Sequence, residues 1–187
     1  MSDKQYIPKK LLWVDLEMTG LDSKKDVILE VAAEITDMNF QTLASYEARL
    51  KQDRDTVVKR MQANIWWKEF PANRDQFIDK LDEGKDPSIV EQELVALVKE
   101  QFGDDLAVLA GNSIHNDRSF ITQWLPNLDL LLHYRMLDVS SWKLVMQSRY
   151  NVQFEKPDIH RAFDDIQASI AELDFYLDWF KRQQDAN

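Results

Sequence analysis

Short apolar runs near the start of the chain predict three β-strands. Residues 10–16, 27–35 and 42–50 are rich in branched and aromatic side chains. A short polar stretch at 37–39 separates the second run from the third, as a turn would. We therefore expect the second and third strands to be joined as a meander.

Helical spacing replaces the strand pattern in the middle of the chain. Residues 53–68 and 73–82 have the pattern of helices, with Pro71 between them. Pro87 stands at the start of a further helix, where a missing backbone N–H is tolerated. The apolar residues that follow it recur at a spacing near 3.6: Ile89, Val90, Leu94, Leu97 and Val98.

Strands and helices alternate in the last part of the chain. A compact apolar run predicts a fourth strand over 106–110, followed by a helix over 116–125 and a fifth strand over 135–139. Ser140 is predicted to be the N-cap of the next helix, and the last helix is predicted to begin near Asp164. One apolar face runs along this last helix: Ile166, Ile170, Leu173, Leu177 and Phe180.

The order of these elements predicts an α/β fold, a mixed five-stranded sheet flanked by helices. With 187 residues, 44% of them apolar and 30% charged, the chain suits a single domain over 1–187. It contains no cysteine, which excludes a disulfide scaffold, a Cys-ligated metal and thiol catalysis. The apolar stretch 11–14 is too short for a signal peptide, and no run approaches the roughly 20 apolar residues of a membrane span. We therefore expect a cytoplasmic protein without a membrane partner.

Net charge limits the class of nucleic-acid partner. Acidic residues outnumber basic ones by 33 to 23, giving a formal charge of −10. Proteins that grip long nucleic acids carry a basic stripe that neutralises phosphates, and this chain has none. The acidic balance is explained either by solubility alone or by a short substrate held at few points, with divalent cations compensating local negative charge.

Candidate chemistry begins with two acids at the end of the first strand. Asp15 and Glu17 are alternate residues, so both side chains project from the same face of the strand. Two carboxylates held together repel unless a cation lies between them, and hard divalent cations prefer oxygen ligands. The carboxyl end of a buried strand is also where α/β folds place ligands.

Further acids follow the fourth strand and precede the last helix. Asp117 comes after the turn GNSIHN (111–116), where it is either a first-turn residue favoured by the helix dipole or a ligand. In HRAFDD (160–165), one of the two acids caps the helix and the other points elsewhere. His160 lies just ahead of this acidic pair.

Taken together, four segments resemble the oligoribonuclease family of the DEDDh exonucleases. They are WVDLEMTGL (13–21), GNSI with Asp117 (111–117), HYR with LDVS (133–140) and HRA with DD (160–165). The match spans nearly the whole chain, in order. It implies a ribonuclease H-like exonuclease fold and 3′-to-5′ hydrolysis of short oligoribonucleotides to nucleoside 5′-monophosphates.

The resemblance also implies site roles. Four carboxylates would bind two divalent ions, Mg²⁺ or Mn²⁺: Asp15, Glu17, Asp117 and Asp165. The ions would activate a water and stabilise the transition-state charge, while His160 would be the general base. The substrate contacts would be a base wedge at Leu21, phosphate contacts at Ser113, Arg135 and Ser140, and Tyr134 from the second subunit of a homodimer. Asp138 is interpreted as a supporting or structural acid.

One segment departs from the family pattern. Oligoribonucleases carry a base-stacking His in the segment after the third strand, whereas residues 61–71 here contain no His. An ungapped count puts Glu69 at that position. Trp66, Trp67 or Phe70 either stacks on a base instead or belongs to the core.

Two other functions are compatible with these residues. One is a broader single-strand exonuclease of the proofreading type, acting on DNA or RNA. The other is a nucleotide-binding relative without turnover, although the complete set of acids and His160 argues against it. The sequence leaves open the preferred metal, the substrate length limit, the preference for RNA over DNA and the pathway.

Overall fold

A central sheet of five strands organises the chain in the computed structural model, which describes residues 7–155 and 162–185. The strand order is β3-β2-β1-β4-β5. β1, β2 and β3 are antiparallel neighbours, whereas β4 and β5 run parallel to β1. The strands are β1 (Lys10–Met18), β2 (Ile28–Asp37), β3 (Thr42–Arg49), β4 (Ala107–Gly111) and β5 (Leu132–Asp138). The mixed sheet and the meander predicted from the sequence are thus confirmed.

Helices connect the strands and cover the sheet. They are α1 (Arg54–Ala63), α2 (Ile65–Glu69), α3 (Pro71–Asp79), α4 (Pro87–Phe102), α5 (His115–Trp124), α6 (Pro126–Asp129), α7 (Val139–Tyr150) and α8 (Ala162–Asp185). Within the described ranges, none of them has the length and apolar character that crossing a membrane requires.

Several predicted boundaries differ from the structure: β5 begins at Leu132 instead of 135, α3 begins at Pro71 instead of 73, and α8 has begun by Ala162 instead of near 164. Two further predictions are wrong because a short polar side chain caps a helix. The helix predicted over 53–68 ends at Ala63, where Asn64 adopts an extended backbone and accepts a hydrogen bond from the Trp66 amide to start α2. Ser140 is not an N-cap. Asp138 ends the fifth strand and its carboxylate accepts from the Ser140 N–H at 2.9 Å, so Ser140 lies inside α7.

The two faces of β1 pack against different helices. Leu12, Val14 and Leu16 belong to a core that includes residues of α4 and α5. Leu11 and Trp13 belong to a second core with Ile166, Ile170 and Leu173 of α8. Because side chains alternate along a strand, every second residue of β1 faces α8.

Strand β2 is buried along almost its whole length although it carries two glutamates. Glu30 forms an ion pair with Arg49 of β3 at 3.3 Å. Glu34 accepts hydrogen bonds from Thr42 and from Gln167 of α8. Buried carboxylates are tolerated where such partners replace water, and the Glu34 contact adds a polar link between the sheet and α8.

A third cluster beneath α1 and α2 contains Trp67, which is 2% exposed. Its ring packs with the buried residues Val27, Leu29, Val57, Met61 and Leu81. The indole N–H donates to the carbonyl of Met18 at 3.3 Å, which ties α2 to the end of β1.

Replacing Trp67 should therefore destabilise the fold. We expect Trp67→Ala to lower the free energy of unfolding by about 3–5 kcal/mol, because removing a large buried side chain leaves a cavity. Urea denaturation followed by circular dichroism measures the change. Ile65→Ala on the same short helix is the control: Ile65 is 72% exposed, and surface changes stay within about 0.5 kcal/mol. Equal effects of the two substitutions would contradict this packing.

Candidate active site

The register of β1 places two carboxylates on the side of the sheet that α8 covers. Leu11, Trp13, Asp15 and Glu17 are alternate residues of the strand, and the first two pack against α8. Asp15 and Glu17 are both half-buried. The sheet therefore directs both acids toward the start of α8.

The first turn of α8 completes an acidic cluster. Ligand oxygens of Asp15, Glu17 and Asp165 lie within 4.8 Å of one another. Asp164, the neighbouring residue, is exposed. Both acids lie inside the first turn of α8, so the prediction that one of them caps the helix is wrong. They do point to different places, and Asp165 is the one in the cluster.

Asp117 lies in the first turn of α5 and is buried. Its Oδ1 accepts a hydrogen bond from the Leu16 N–H at 3.0 Å. That amide is available because the pairing of β1 with β4 ends at Trp13 and Ala110. Asp117 therefore contacts the residue between Asp15 and Glu17.

Burial also perturbs the ionisation of Asp117. Desolvation raises the pKa of its carboxyl to about 7, and the hydrogen bond from Leu16 opposes this only in part. The negative charge of Asp138 also contributes to this raised pKa. A divalent cation beside Asp117 would favour its ionised form, so this environment suits a cation that compensates the buried charge.

The donor set fits a hard divalent cation. All the predicted ligands are carboxylates, and oxygen donors suit Mg²⁺ and Mn²⁺, whereas soft metals prefer sulfur. Because their ligand oxygens lie within 4.8 Å of one another, one ion can contact Asp15, Glu17 and Asp165. The residues present can therefore hold a metal ion.

The turn after β4 contains one of the predicted phosphate contacts, Ser113, and is hydrogen-bonded to another, Ser140 of α7. Ser113 has a positive φ of 50°, and its N–H donates to Asp138 Oδ1 at 3.0 Å and to Ser140 Oγ at 2.9 Å. The hydroxyls of Ser113 and Ser140 lie 3.1 Å apart. The structure thus brings these two serines together, and Asp138 has the structural role predicted for it.

Two further predicted contacts, Tyr134 and Arg135, are neighbours on the edge strand β5. Tyr134 is 75% exposed and stacks on the ring of His133, with centroids 4.5 Å apart. The guanidinium of Arg135 lies 5.3 Å from the centre of the Tyr134 ring. Both side chains are exposed at the edge of the sheet.

A pocket opens beside Glu17, between the loop after β1 and α2. Leu21, Asn64 and Trp66 line it, together with Trp67. Leu21 is 71% exposed. Trp66 is half-buried, and its ring lies 4.8 Å from that of Phe70. The two indole rings are in contact, with centroids 4.5 Å apart, and differ in burial: Trp67 is buried in the core and borders the pocket, whereas Trp66 is half-buried.

Asp26 holds the loop that carries Leu21. Its carboxylate accepts from the Thr19 hydroxyl and from the Asp22 N–H, both at 3.0 Å. A Cβ at Gly20 would lie 2.6 Å from the Asp26 carboxylate. Glycine at position 20 therefore lets the carboxylate approach and fix the loop on which Leu21 is exposed.

His160 lies outside the described residues. Among the described residues, the sequence analysis missed the importance of Asn112, whose side chain contacts both α7 and α8. Its position directly after a buried strand was the available signal. Its partners are up to 60 residues away along the chain and follow no local pattern.

Comparison with known proteins identifies the family of the chain. The chain belongs to the exonuclease family, whose sequence model matches residues 12–173. Within that class it is an oligoribonuclease relative. It is 38% identical over 167 residues to the Oligoribonuclease of Francisella tularensis subsp. tularensis (strain WY96-3418), covering 89% of this chain and 93% of that protein. It is 35% identical over 190 residues to the mitochondrial Oligoribonuclease of Bos taurus, covering 99% of this chain and 79% of that protein.

Solved structures share the fold at low sequence identity. E. coli Exonuclease I in complex with a dT13 oligonucleotide matches 96% of this chain with a TM-score of 0.60 and 13% identity. Exonuclease I of Methylocaldum szegediense matches 87% with a TM-score of 0.59 and 17% identity. The matched part is 43% and 39% of those two chains, respectively. The predicted exonuclease fold is confirmed.

The acidic cluster should favour metal binding and lower the stability of the metal-free protein. Asp165→Asn should abolish tight Mn²⁺ binding, because it removes one of three converging carboxylates. It should also raise the melting temperature of the metal-free protein, because it relieves repulsion between like charges. Isothermal titration with Mn²⁺ and thermal denaturation in chelator measure the two effects. Asp164→Asn is the matched control and should change neither; equal Mn²⁺ affinity in the two variants would contradict the assignment.

Proposed function

We propose that the chain is a metal-dependent 3′-to-5′ exoribonuclease that hydrolyses short oligoribonucleotides to nucleoside 5′-monophosphates. The convergence of Asp15, Glu17 and Asp165 at the end of β1 is the observation that carries this proposal. Membership of the exonuclease family and the likeness to oligoribonucleases support it. We treat residues 1–187 as one exonuclease domain, and a cytoplasmic location stays a prediction.

Four carboxylates would hold the cofactors: Asp15, Glu17, Asp117 and Asp165. Their four negative charges match the charge of two divalent ions, which we propose to be Mg²⁺ or Mn²⁺. Such ions supply an activated water and stabilise negative charge on the reacting phosphate. The carboxylates themselves are fixed by β1, by the hydrogen bond from the Leu16 amide and by the packing of α8.

We assign the general base to His160, on the resemblance to the family and because an imidazole titrates near neutral pH. A water oxygen forms the new bond to phosphorus, and His160 accepts the proton that the water loses. The bond between phosphorus and the 3′ oxygen of the remaining chain breaks, and this oxygen takes up a proton from solvent. The products are a nucleoside 5′-monophosphate and a shortened RNA with a 3′ hydroxyl.

The 5′ end of a short substrate would lie at the turn after β4. Ser113 and Ser140 present adjacent hydroxyls, and Arg135 supplies a positive charge on the neighbouring strand. We propose that these groups bind the terminal 5′ phosphate, which limits the length of RNA that fits. Tyr134 would close this end from the second subunit of a homodimer, and its exposed ring on the edge strand supports this role.

The pocket beside Glu17 would receive a nucleobase. Leu21 projects from the loop after β1, and Trp66 lines the same pocket. We propose that Leu21 separates the two terminal bases and that Trp66 offers its ring for stacking, in place of the family's His. Glu69, which an ungapped count puts at the position of that His, is exposed.

Substrate length tests the proposed function. Because few groups are available to bind phosphates, we expect kcat/KM with Mn²⁺ to be highest for RNA of two to a few nucleotides. RNA and DNA of about 2 to 10 nucleotides with a 5′ phosphate form the test series. Released mononucleotides are quantified by chromatography, with a chelator as the control. A rate independent of length, or faster hydrolysis of DNA, would favour the broader single-strand exonuclease instead.

Trp66 should affect binding more than turnover. We expect Trp66→Ala to raise KM for a diribonucleotide about tenfold with little change in kcat, since base stacking contributes about 1–3 kcal/mol per base. Trp66→Phe keeps an aromatic face and should retain most of the affinity. Steady-state kinetics on the folded variants measure both constants. An unchanged KM for Trp66→Ala would remove Trp66 from the base pocket.

A further inference from the structure

The side chain of Asn112 connects three elements around the proposed site. It follows β4, and its Oδ1 accepts a hydrogen bond from Ser140 Oγ of α7 at 3.1 Å. Its Nδ2 donates to Ser169 Oγ at 2.9 Å and to Glu172 Oε2 at 3.3 Å, both on α8. The amide of Asn112 therefore joins the turn after β4 and helix α7 to helix α8, which carries Asp165.

On α8, the hydrogen bonds of Asn112 continue through Ser169 to the backbone of Asp165, whose side chain belongs to the acidic cluster. The Ser169 hydroxyl donates to the carbonyl of Asp165 at 2.8 Å, one helical turn earlier. Ser169 is 4% exposed. A shift of Ser169 would therefore move the backbone of a residue whose carboxylate meets Asp15 and Glu17.

Glu172 determines which end of the Asn112 amide faces α8. It is 1% exposed, and its Oε1 accepts from the Tyr176 hydroxyl at 2.8 Å. The ammonium of Lys143 on α7 lies 3.9 Å from the same oxygen. A buried carboxylate accepts hydrogen bonds and donates none, so only the NH₂ side of the Asn112 amide satisfies it. This fixes the orientation of the amide and leaves its oxygen for Ser140.

We propose that Asn112 is a positioning residue that couples the phosphate-binding turn to the metal-carrying helix. Through one amide it sets the distance between the hydroxyls of Ser113 and Ser140 and the carboxylate of Asp165. The proposal rests on the proposed function and adds to it: the spacing between terminal-phosphate recognition and cleavage is fixed by a buried polar network. Glu172 and Ser169 act with Asn112 as its partners on α8.

Reversing the direction of one hydrogen bond tests this assignment. Asn112→Asp places a carboxylate opposite the carboxylate of Glu172, and the two repel. We expect the substitution to weaken Mn²⁺ binding and to lower kcat by about 10- to 100-fold each, the usual effect of substituting a residue that positions a metal ligand. Asn112→Asp combined with Glu172→Gln restores the charge and one donor–acceptor pair. This double variant should recover most of both losses. Titration with Mn²⁺ and single-turnover cleavage of a 5′-phosphorylated diribonucleotide are the measurements.

The sign of the metal effect separates positioning from simple electrostatics. An added negative charge near a cation site would tighten Mn²⁺ binding, so weaker binding reports a displaced ligand. Asn127→Asp provides the matched control, because Asn127 donates to Glu91 at 3.0 Å on the exposed surface. It should change neither Mn²⁺ affinity nor kcat.

A second variant keeps the test valid if Asn112→Asp does not fold. Ser169→Ala removes only the link from Asn112 to the Asp165 carbonyl, and it should lower Mn²⁺ affinity and kcat in the same direction. Unchanged Mn²⁺ affinity in Ser169→Ala, or a double variant no better than Asn112→Asp alone, would overturn the positioning role. A wild-type protein that binds Mn²⁺ and does not cleave RNA would overturn the proposed function instead, while the Mn²⁺ titrations would still decide the role of Asn112.

Discussion

The packing of α8 against β1 is the constraint on which the proposed site depends. Trp13 and Leu11 contact the apolar stripe of α8, and the alternation of the strand then directs Asp15 and Glu17 toward Asp165. Hydrophobic burial, which has no preference for charge, thus forces like charges together. A cation bound between them would relieve this repulsion, so the fold places the carboxylates where a metal ion would be favoured.

Polar contacts set the finer geometry around this cluster. Asp117 reaches β1 through the Leu16 amide, which is available because β4 is short. Asn112 and Asp138 organise the turn after β4 from opposite sides, one toward α8 and one toward the start of α7. Asn112 and Asp138 each have several hydrogen-bond partners, so this turn is held by a connected set of hydrogen bonds rather than by isolated contacts.

Local periodicity predicted much of this arrangement. The alternation along 10–16 placed Asp15 and Glu17 on one face, and the spacing from Ile166 onward predicted the face of α8 that packs. It did not predict which of Asp164 and Asp165 joins the cluster, because that depends on how α8 docks on a distant strand. Nor did it predict which of Trp66 and Trp67 is buried. Adjacent side chains on a helix point about 100° apart, and either of them could have faced the core. The break at Asn64 was missed because a single cap outweighs the propensity of its neighbours.

The central claim is that carboxylates of β1 and α8 form one divalent-cation site. Anomalous diffraction from crystals soaked in Mn²⁺ tests it most directly. Anomalous density is expected between the carboxylates of Asp15, Glu17 and Asp165, within coordination distance of all three. Mn²⁺ density elsewhere on the molecule, with these carboxylates turned away from one another, would contradict it.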